Sequence, residues 1–396
     1  MKGWKNGPVL HLSGLLRLLF GEPVKVALFL DHPRKGNRRH HIQLKALSEA
    51  GFDPRIITLS GDPRDSYLAR KGHLERFLPL NFSRSKSFNR FSVQVLPELI
   101  RLIKKEKISL ILTQRWRLLK YLWLVKPFIP ELKIIFYLVI GGVFRSPGRR
   151  LTFKLLYPLC DRILVNSLAL KEELSTLGIP EERIGILYSA VDPEEFDLPL
   201  GRQEARQRLG FPEDFLFGMV ARFRREKDHA GLLQAFQKFL EKGEKAHLIL
   251  VGDGPGEEKT RKLACELGLA DRVIFTGRLP MEKIPFVLRA LEVFVYATFR
   301  EGMPMAVMEA MAAGLPIIAT EAEGIPDLFE TERTFGIMVP RGDPVALARA
   351  MKELYYLPPE RRQILGKEAR ERIKEAFSPE ILARETVKIV RETLNA

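Results

Sequence analysis

Two carboxylates eight residues apart, Glu301 and Glu309, stand in the segment REGMPMAVMEAMAAGLPIIAT at Arg300–Thr320. The apolar run Val293–Tyr296 precedes it, so the segment starts where a strand ends and leads into a helix. Pro304 suits the first helical turn, where its missing N–H would be unpaired anyway, and Gly314 suits the position just past the end. A helix of about ten residues is expected between them. The backbone N–H groups of Gly302, Met303, Met305 and Ala306 at that N-terminus form a site for an anion such as a pyrophosphate. One carboxylate ahead of the terminus and one a turn inside it can bracket a polyhydroxyl ligand. Each charge-assisted hydrogen bond there contributes roughly 1.5–3 kcal/mol. Met303, Met305, Met308 and Met311 read as core or pocket lining.

Upstream, VARFRREKDHAGLLQAF places Arg222 and Lys227 five residues apart in the loop after the run Leu216–Val220. LILVGDGP at Leu248–Pro255 carries Gly252 and Gly254, and VIFTGRLP at Val273–Pro280 carries Arg278 and Leu279. A lone cation in a loop is usually solvated, and a lone glutamate at a helix start usually serves the dipole. Joint spacing at successive strand ends is what singles these residues out. Taken together, Glu-x7-Glu inside E-G-x-P-x4-E-A-M-A-x-G-x-P-I-I-A-T, the basic segment and the two strand-loop units resemble the family 4 retaining glycosyltransferases of the GT-B fold. GIPDLF at Gly324–Phe329 and GIMVPRGDPVALARAM at Gly336–Met351 extend the likeness over residues 216–351.

The resemblance implies a nucleotide-sugar donor, UDP- or GDP-linked. Its diphosphate falls to Arg222 and Lys227, and the rest of it to Gly252, Gly254, Arg278, Leu279, Gly302, Met303, Pro304, Met305 and Glu309. Glu301, Arg222 and Lys227 are the expected catalytic residues. No Asp-x-Asp occurs in the chain, so no metal or other cofactor is expected, and fixed cations and N–H groups must meet the charge of the leaving group. Retention of configuration leaves a carboxylate nucleophile and same-face attack both open.

The first half resembles the family less closely. RKGNRRHHIQLKAL at Arg34–Leu47 is similar to the family's glycine loop and following helix, which makes Gly36, Asn37, Arg39 and His40 the candidate acceptor-side loop; two surface histidines opening a helix are equally compatible with it. Lys35 occupies the place of a first glycine. At FYLVIGG, Phe136–Gly142, many relatives carry a histidine that contacts the donor sugar, and Ile140 stands there instead. SLALKEELSTLGIPEERIGILYSAVDPEEF at Ser167–Phe196 matches the family again.

These residues need a scaffold that presents strand ends. Apolar runs at Val24–Leu30, Arg55–Leu59, Ile108–Leu112, Ile134–Val139, Arg162–Asn166 and Arg183–Leu187 alternate with helical patterns, and the alternation restarts with Leu216–Val220, Leu248–Val251, Val273–Thr276, Val293–Tyr296 and Ile317–Thr320. Continuous apolar runs separated by helices predict parallel sheets in an α/β protein. At 396 residues the chain exceeds one core. Two Rossmann-like domains are expected, residues 1–198 and 199–377, with a charged, proline- and glycine-bearing linker at Asp192–Asp214. The family likeness sets them across a cleft, with a C-terminal helix, 378–396, packing back on the N-terminal domain.

The net charge of +15 is uneven: residues 1–200 hold 33 Lys and Arg against 19 Asp and Glu, while the remainder is nearly balanced. Such a field attracts anions, although a highly soluble surface has the same composition. Arg115, Trp116, Arg117, Lys120, Tyr121, Trp123 and Lys126 crowd one segment, and Phe82, Arg84, Lys86, Phe88, Arg90 and Phe91 another; Leu12, Leu15, Leu16, Leu19 and Phe20 would form one face of a short helix. These fit an anionic membrane surface, or, for Trp116–Val125, a crossover helix packed on its sheet. Nucleic acid is not expected, since no recognised motif accompanies the charge. The two cysteines indicate a reducing cytosol. Lys2 and Lys5 ahead of Val9–Phe20 imitate a signal peptide, but Arg17 interrupts the run, so neither cleavage nor a span is expected. The reading is a cytoplasmic hexosyltransferase, peripheral at the inner face of the plasma membrane, acting on a lipid-linked or phosphorylated saccharide. Its rivals are an epimerase and a non-catalytic scaffold on the same fold.

Overall fold

The computed structural model describes residues 22–82, 92–144, 146–329 and 335–396. Among these, the apolar runs form two parallel sheets. The first comprises β1 (Lys25–Leu30), β2 (Asp53–Thr58), β3 (Phe77–Pro79), β4 (Ile108–Thr113), β5 (Lys133–Leu138), β6 (Arg162–Val165) and β7 (Ile184–Ile186), in the order β3-β2-β1-β4-β5-β6-β7. The second comprises β8 (Phe215–Val220), β9 (Ala246–Val251), β10 (Val273–Gly277), β11 (Val293–Tyr296), β12 (Ile317–Thr320) and β13 (Gly336–Val339), in the order β10-β9-β8-β11-β12-β13. Central strands are buried along nearly their whole length, as in β1, β11 and β12, because helices cover both faces of a parallel sheet.

Of the four edge strands β3, β7, β10 and β13, the edges β7 and β10 follow the expected runs while β3 and β13 escape the sequence pattern. β3 has three residues and ends in Pro79, and three of the four residues of β13 are partly or fully exposed. An edge strand needs no continuous apolar run, because one side of it has no partner to pack beside.

Contacts divide the chain into two compact units, one of Met1–Phe136, Pro158–Arg162 and Thr386–Ala396, the other of Tyr137–Tyr157 and Ile163–Glu385. In the first unit the end of the last helix, Pro379–Asn395, returns to the early elements, and Arg391 reaches the Ala50 carbonyl at 3.5 Å. In the second unit a continuous core runs from Val191 to Phe377 around the second sheet, with Phe217, Phe236, Phe294 and Phe335 among its fully buried side chains.

Two local expectations are corrected, and one open alternative is decided. The stretch expected as a linker contains a turn at Pro193–Phe196 and a helix at Arg202–Leu209. Arg206 is buried there because its guanidinium is satisfied by Glu292 at 2.5 Å and by the Ala290 carbonyl at 3.0 Å. Pro304 precedes the helix Met305–Ala312 in an extended conformation instead of entering its first turn, so that helix has eight residues. Within the helix Trp116–Val125, Tyr121 and Trp123 are buried, with Trp116 edge-on to Trp123 at 5.2 Å. That segment is a packed crossover helix and does not offer those aromatics to a membrane. The other two membrane candidates, Leu12 to Phe20 and Arg84 to Phe91, lie outside the described residues.

Candidate active site

In the second sheet β8 is where the strand order reverses, with β9 and β10 on one side and β11 to β13 on the other. Crevices that bind ligands open at the carboxyl ends of strands at such a point. The loops leaving β8 and β11 are sewn together there: the Phe299 N–H donates to the Glu226 carbonyl at 2.8 Å, and the Asp228 N–H to the Ala297 carbonyl at 3.0 Å. Asp228 then caps the helix His229–Phe239 by accepting the Gly231 N–H at 2.8 Å. Lys227 is thus held between two fixed neighbours.

The Lys227 ammonium forms an ion pair with the Glu301 carboxylate and donates to the Tyr296 hydroxyl at 2.8 Å. Tyr296 in turn donates to the same Glu301 oxygen at 2.9 Å, and the Thr298 hydroxyl lies 3.3 Å from it. Both charged side chains are 13% exposed. Burial pulls the Lys227 ammonium down to about 8 against the opposing pull of the Glu226 carboxylate. Burial and then Glu309 push the Tyr296 phenol up, so it stays a proton donor at neutral pH.

A cavity of about 570 Å³ lies over this group, with Ile140, Gly141 and Gly142 on one side and Lys227, Glu301 and Gly302 on another. Arg300 donates to the Gly141 carbonyl at 3.2 Å, and Glu173 accepts the Gly142 N–H at 3.2 Å. A side chain at Gly302 would place its Cβ 2.4 Å from the Val139 carbonyl oxygen, so this close approach requires glycine. Ile140 is exposed at the cavity wall and offers no polar atom there. Glu323, also in the wall, accepts the Glu301 N–H at 3.4 Å and pairs with Arg341 at 3.5 Å.

A second cavity of about 320 Å³ sits at the ends of β8, β9 and β10, lined by Arg222, Gly252, Arg278, Leu279 and their neighbours. Arg222 is 60% exposed and lies 3.7 Å from Asp253. Gly252 has φ 145°, and a Cβ there would meet the Ala221 carbonyl oxygen at 2.0 Å, so only glycine lets the loop run against the β8 loop. Gly254 belongs to the same turn, where the Phe223 N–H donates to the Asp253 carbonyl at 2.9 Å. Apolar walls from Val220, Leu279 and Ile284 with a few polar edges suit a flat heterocycle and its ribose.

The expected residues therefore fall into two cavities of one unit, Lys227, Glu301 and Gly302 in the larger and Arg222, Gly252, Arg278 and Leu279 in the smaller. Met303 is buried, its sulfur 3.4 Å from the Ser189 nitrogen; Pro304 is buried and Met305 is exposed at the helix start. Glu309, one turn on, is half-buried. Tyr296, Glu173, Glu226, Arg300 and Glu323 were not singled out from sequence. Tyr296 ends an apolar run like any core residue, and the glutamates carry no spacing that marks them.

In the first unit Asn37 and His40 form a reciprocal cap on the helix Arg38–Glu49, each accepting the other's backbone N–H at 3.3 Å. His40 is buried, pushed down to about 3 by burial and then by Arg39, and its Nε2 lies 3.2 Å from the Gln114 amide. Arg39 donates to Gln114 at 3.1 Å, and the Gly36 N–H returns to the Pro33 carbonyl at 3.0 Å. These four residues hold the loop, and His40 does so from inside.

Among the described residues no group of three or more His, Cys, Asp or Glu is placed to hold a metal ion, and no helix is long and apolar enough to cross a membrane. Residues 201–372 match the family model "Glycosyl transferases group 1", and residues 40–195 match "Glycosyltransferase Family 4". The chain is 31% identical over 181 residues to 2-deoxystreptamine glucosyltransferase of Streptomyces kanamyceticus, covering 45% of this chain and 46% of that protein. It is 28% identical over 224 residues to the putative colanic acid biosynthesis glycosyltransferase WcaL of Escherichia coli K12, covering 55% and 53%. It spans about half the length of these curated relatives. Among solved structures it matches a glycosyltransferase from Rickettsia africae ESF-5 with TM-score 0.78 at 18% identity, covering 94% of this chain and 99% of that one. Anabaena Alr3699/HepE in complex with UDP and glucose matches with TM-score 0.76 at 17% identity, covering 93% and 100%.

Proposed function

The chain belongs to the family 4 glycosyltransferases, and from that premise we propose that it transfers a hexose-type sugar, with retention, from a nucleoside-diphosphate sugar to a hydroxyl of a lipid-linked or phosphorylated saccharide. The observation that carries this reading is the Lys227–Tyr296–Glu301 group at the strand-order reversal. Residues 199–377 hold the donor and residues 1–198 the acceptor. The base and ribose occupy the smaller cavity and the sugar the larger, with the diphosphate between Arg222 and Lys227. When the anomeric C–O bond breaks, its electron pair goes to the diphosphate oxygen, and these two cations meet the charge without a metal. Glu301 orients Lys227 and reaches sugar hydroxyls, while Glu309 takes the ribose diol. The relatives named for colanic acid and amylovoran biosynthesis support a polysaccharide pathway; the basic first half of the chain supports an acceptor in the cell envelope, handled at the cytoplasmic face of the membrane. HepE, named with UDP and UDP-glucose, supports a UDP-linked donor.

Nucleotide release from a panel of UDP- and GDP-sugars, with extracted lipid-linked saccharide as acceptor and with EDTA present, tests the reading. Release that is retained in EDTA and lost in Arg222→Ala and Glu309→Ala is expected. Turnover unchanged in both variants overturns the assignment, and no release from any donor favours a scaffold.

A further inference from the structure

The helix Pro147–Leu156 carries an apolar stripe with no partner among the described residues. At 100° per residue, Leu151 and Leu155 lie within 40° of each other, and they are 60% and 67% exposed. Phe153, between them in sequence, points the opposite way, buried and stacked on Phe144 at 4.4 Å. Arg150 and Lys154, one turn apart, flank the stripe on one side, while Arg149 lies within 40° of Phe153 in the first turns; all three are exposed, and the helix has no acidic residue. Its cap, Ser146, makes no side-chain capping hydrogen bond, and two arginines in the first turns add to the positive end of the helix dipole. A positive field beside two outward leucines is complementary to anionic headgroups above acyl chains. Arg150 also lines the cavity over Lys227 and Glu301 and donates to the Phe144 carbonyl at 2.8 Å. The stripe therefore lies beside the proposed sugar site.

We propose that Leu151 and Leu155, flanked by Arg150 and Lys154 and in the field of Arg149, dock this unit on an anionic lipid surface, from which the adjoining cavity takes its acceptor. The second clause rests on the transferase reading; the docking does not.

Flotation of the full chain with phosphatidylglycerol or phosphatidylcholine vesicles at low salt tests the docking. Binding to the anionic vesicles alone is expected. Leu151→Glu with Leu155→Glu should weaken it about 100-fold, and Arg149→Glu with Lys154→Glu at least about fivefold per cation. Each variant should keep its cooperative melt and its thermal shift with UDP or GDP, since neither pair lines the two cavities over Lys227 and beside Arg222. If the glutamate pair does not fold, Leu151→Ser with Leu155→Ser and the charge-reversal pair decide. Absence of wild-type binding, binding undiminished in the variants, or a dimer split by the leucine substitutions without vesicle binding overturns the proposal. Flotation without sugar transfer to any acceptor would sink the transferase reading and leave the docking standing.

Discussion

The Tyr296 hydroxyl lies 2.8 Å from the Lys227 ammonium and donates to the carboxylate that pairs with it. One phenol therefore aligns both members of a shielded ion pair, and the ring packs under Lys227, whose Nζ is 4.9 Å from the ring centroid. Tyr296→Phe keeps the ring and removes the alignment. Nucleotide release should fall about tenfold to 100-fold, since a hydrogen bond to a charged group contributes roughly 1.5–3 kcal/mol. Steady-state rates equal to wild type would show that the hydroxyl does not position Lys227.

The two cations should separate in stability. Lys227→Ala leaves Glu301 buried and unpaired, a loss of about 3–5 kcal/mol. Arg222→Ala removes a largely exposed side chain and should stay within about 0.5 kcal/mol of wild type. Donor turnover should fall about 10²–10³-fold in each. Urea unfolding beside a donor assay reads both quantities, and equal stability losses would contradict the burial argument.

Gly252→Ala should destabilise by at least about 1–3 kcal/mol, because φ 145° is closed to other residues. Its Cβ would also press the Ala221 carbonyl, so the nucleotide-induced thermal shift should shrink. A variant as stable as wild type with a full shift would mean that the loop has another conformation available.

Acid should weaken the fold before most carboxylates protonate. His40 and His229 are buried neutral, pushed down to about 3 and about 4, in both cases chiefly by burial. In the unfolded chain each takes up a proton near 6.5. Their contribution is therefore complete above pH 6.5 and lost as pH falls toward 4 for His229 and 3 for His40, at up to about 1.4 kcal/mol per pH unit each. His229 also stacks on Phe223 at 4.1 Å, so His229→Phe retains the packing and should flatten the slope by up to one proton. Unfolding free energies flat between pH 7 and 5 would contradict this.

Much of the fold was legible because a central parallel strand must be apolar at successive positions; β1, β4, β8, β9 and β11 lie within a residue or two of the expected runs. The short edges β3 and β13 were not, since nothing forces an apolar run there. The charged stretch around Arg206 read as linker, yet a distant Glu292 draws Arg206 inward from an otherwise largely exposed helix. Conversely, composition left Tyr121 and Trp123 open between a membrane surface and a packed helix, and their helix turns them inward.

The motifs around Glu301, Glu309, Arg222 and Lys227 carried the likeness to the family, because family motifs are local in the chain and sit at strand ends. Tertiary structure decided which of these residues meet. Lys227 and Glu301 come together across the β8–β11 junction, while Arg222 faces the smaller cavity with Gly252. It also placed Tyr296 beneath the ion pair, tied the Gly141–Gly142 loop to Arg300 and Glu173, and left Leu151 and Leu155 outside. Those pairings join residues far apart in sequence, where no periodicity or spacing carries information; only strand order and burial bring them into contact.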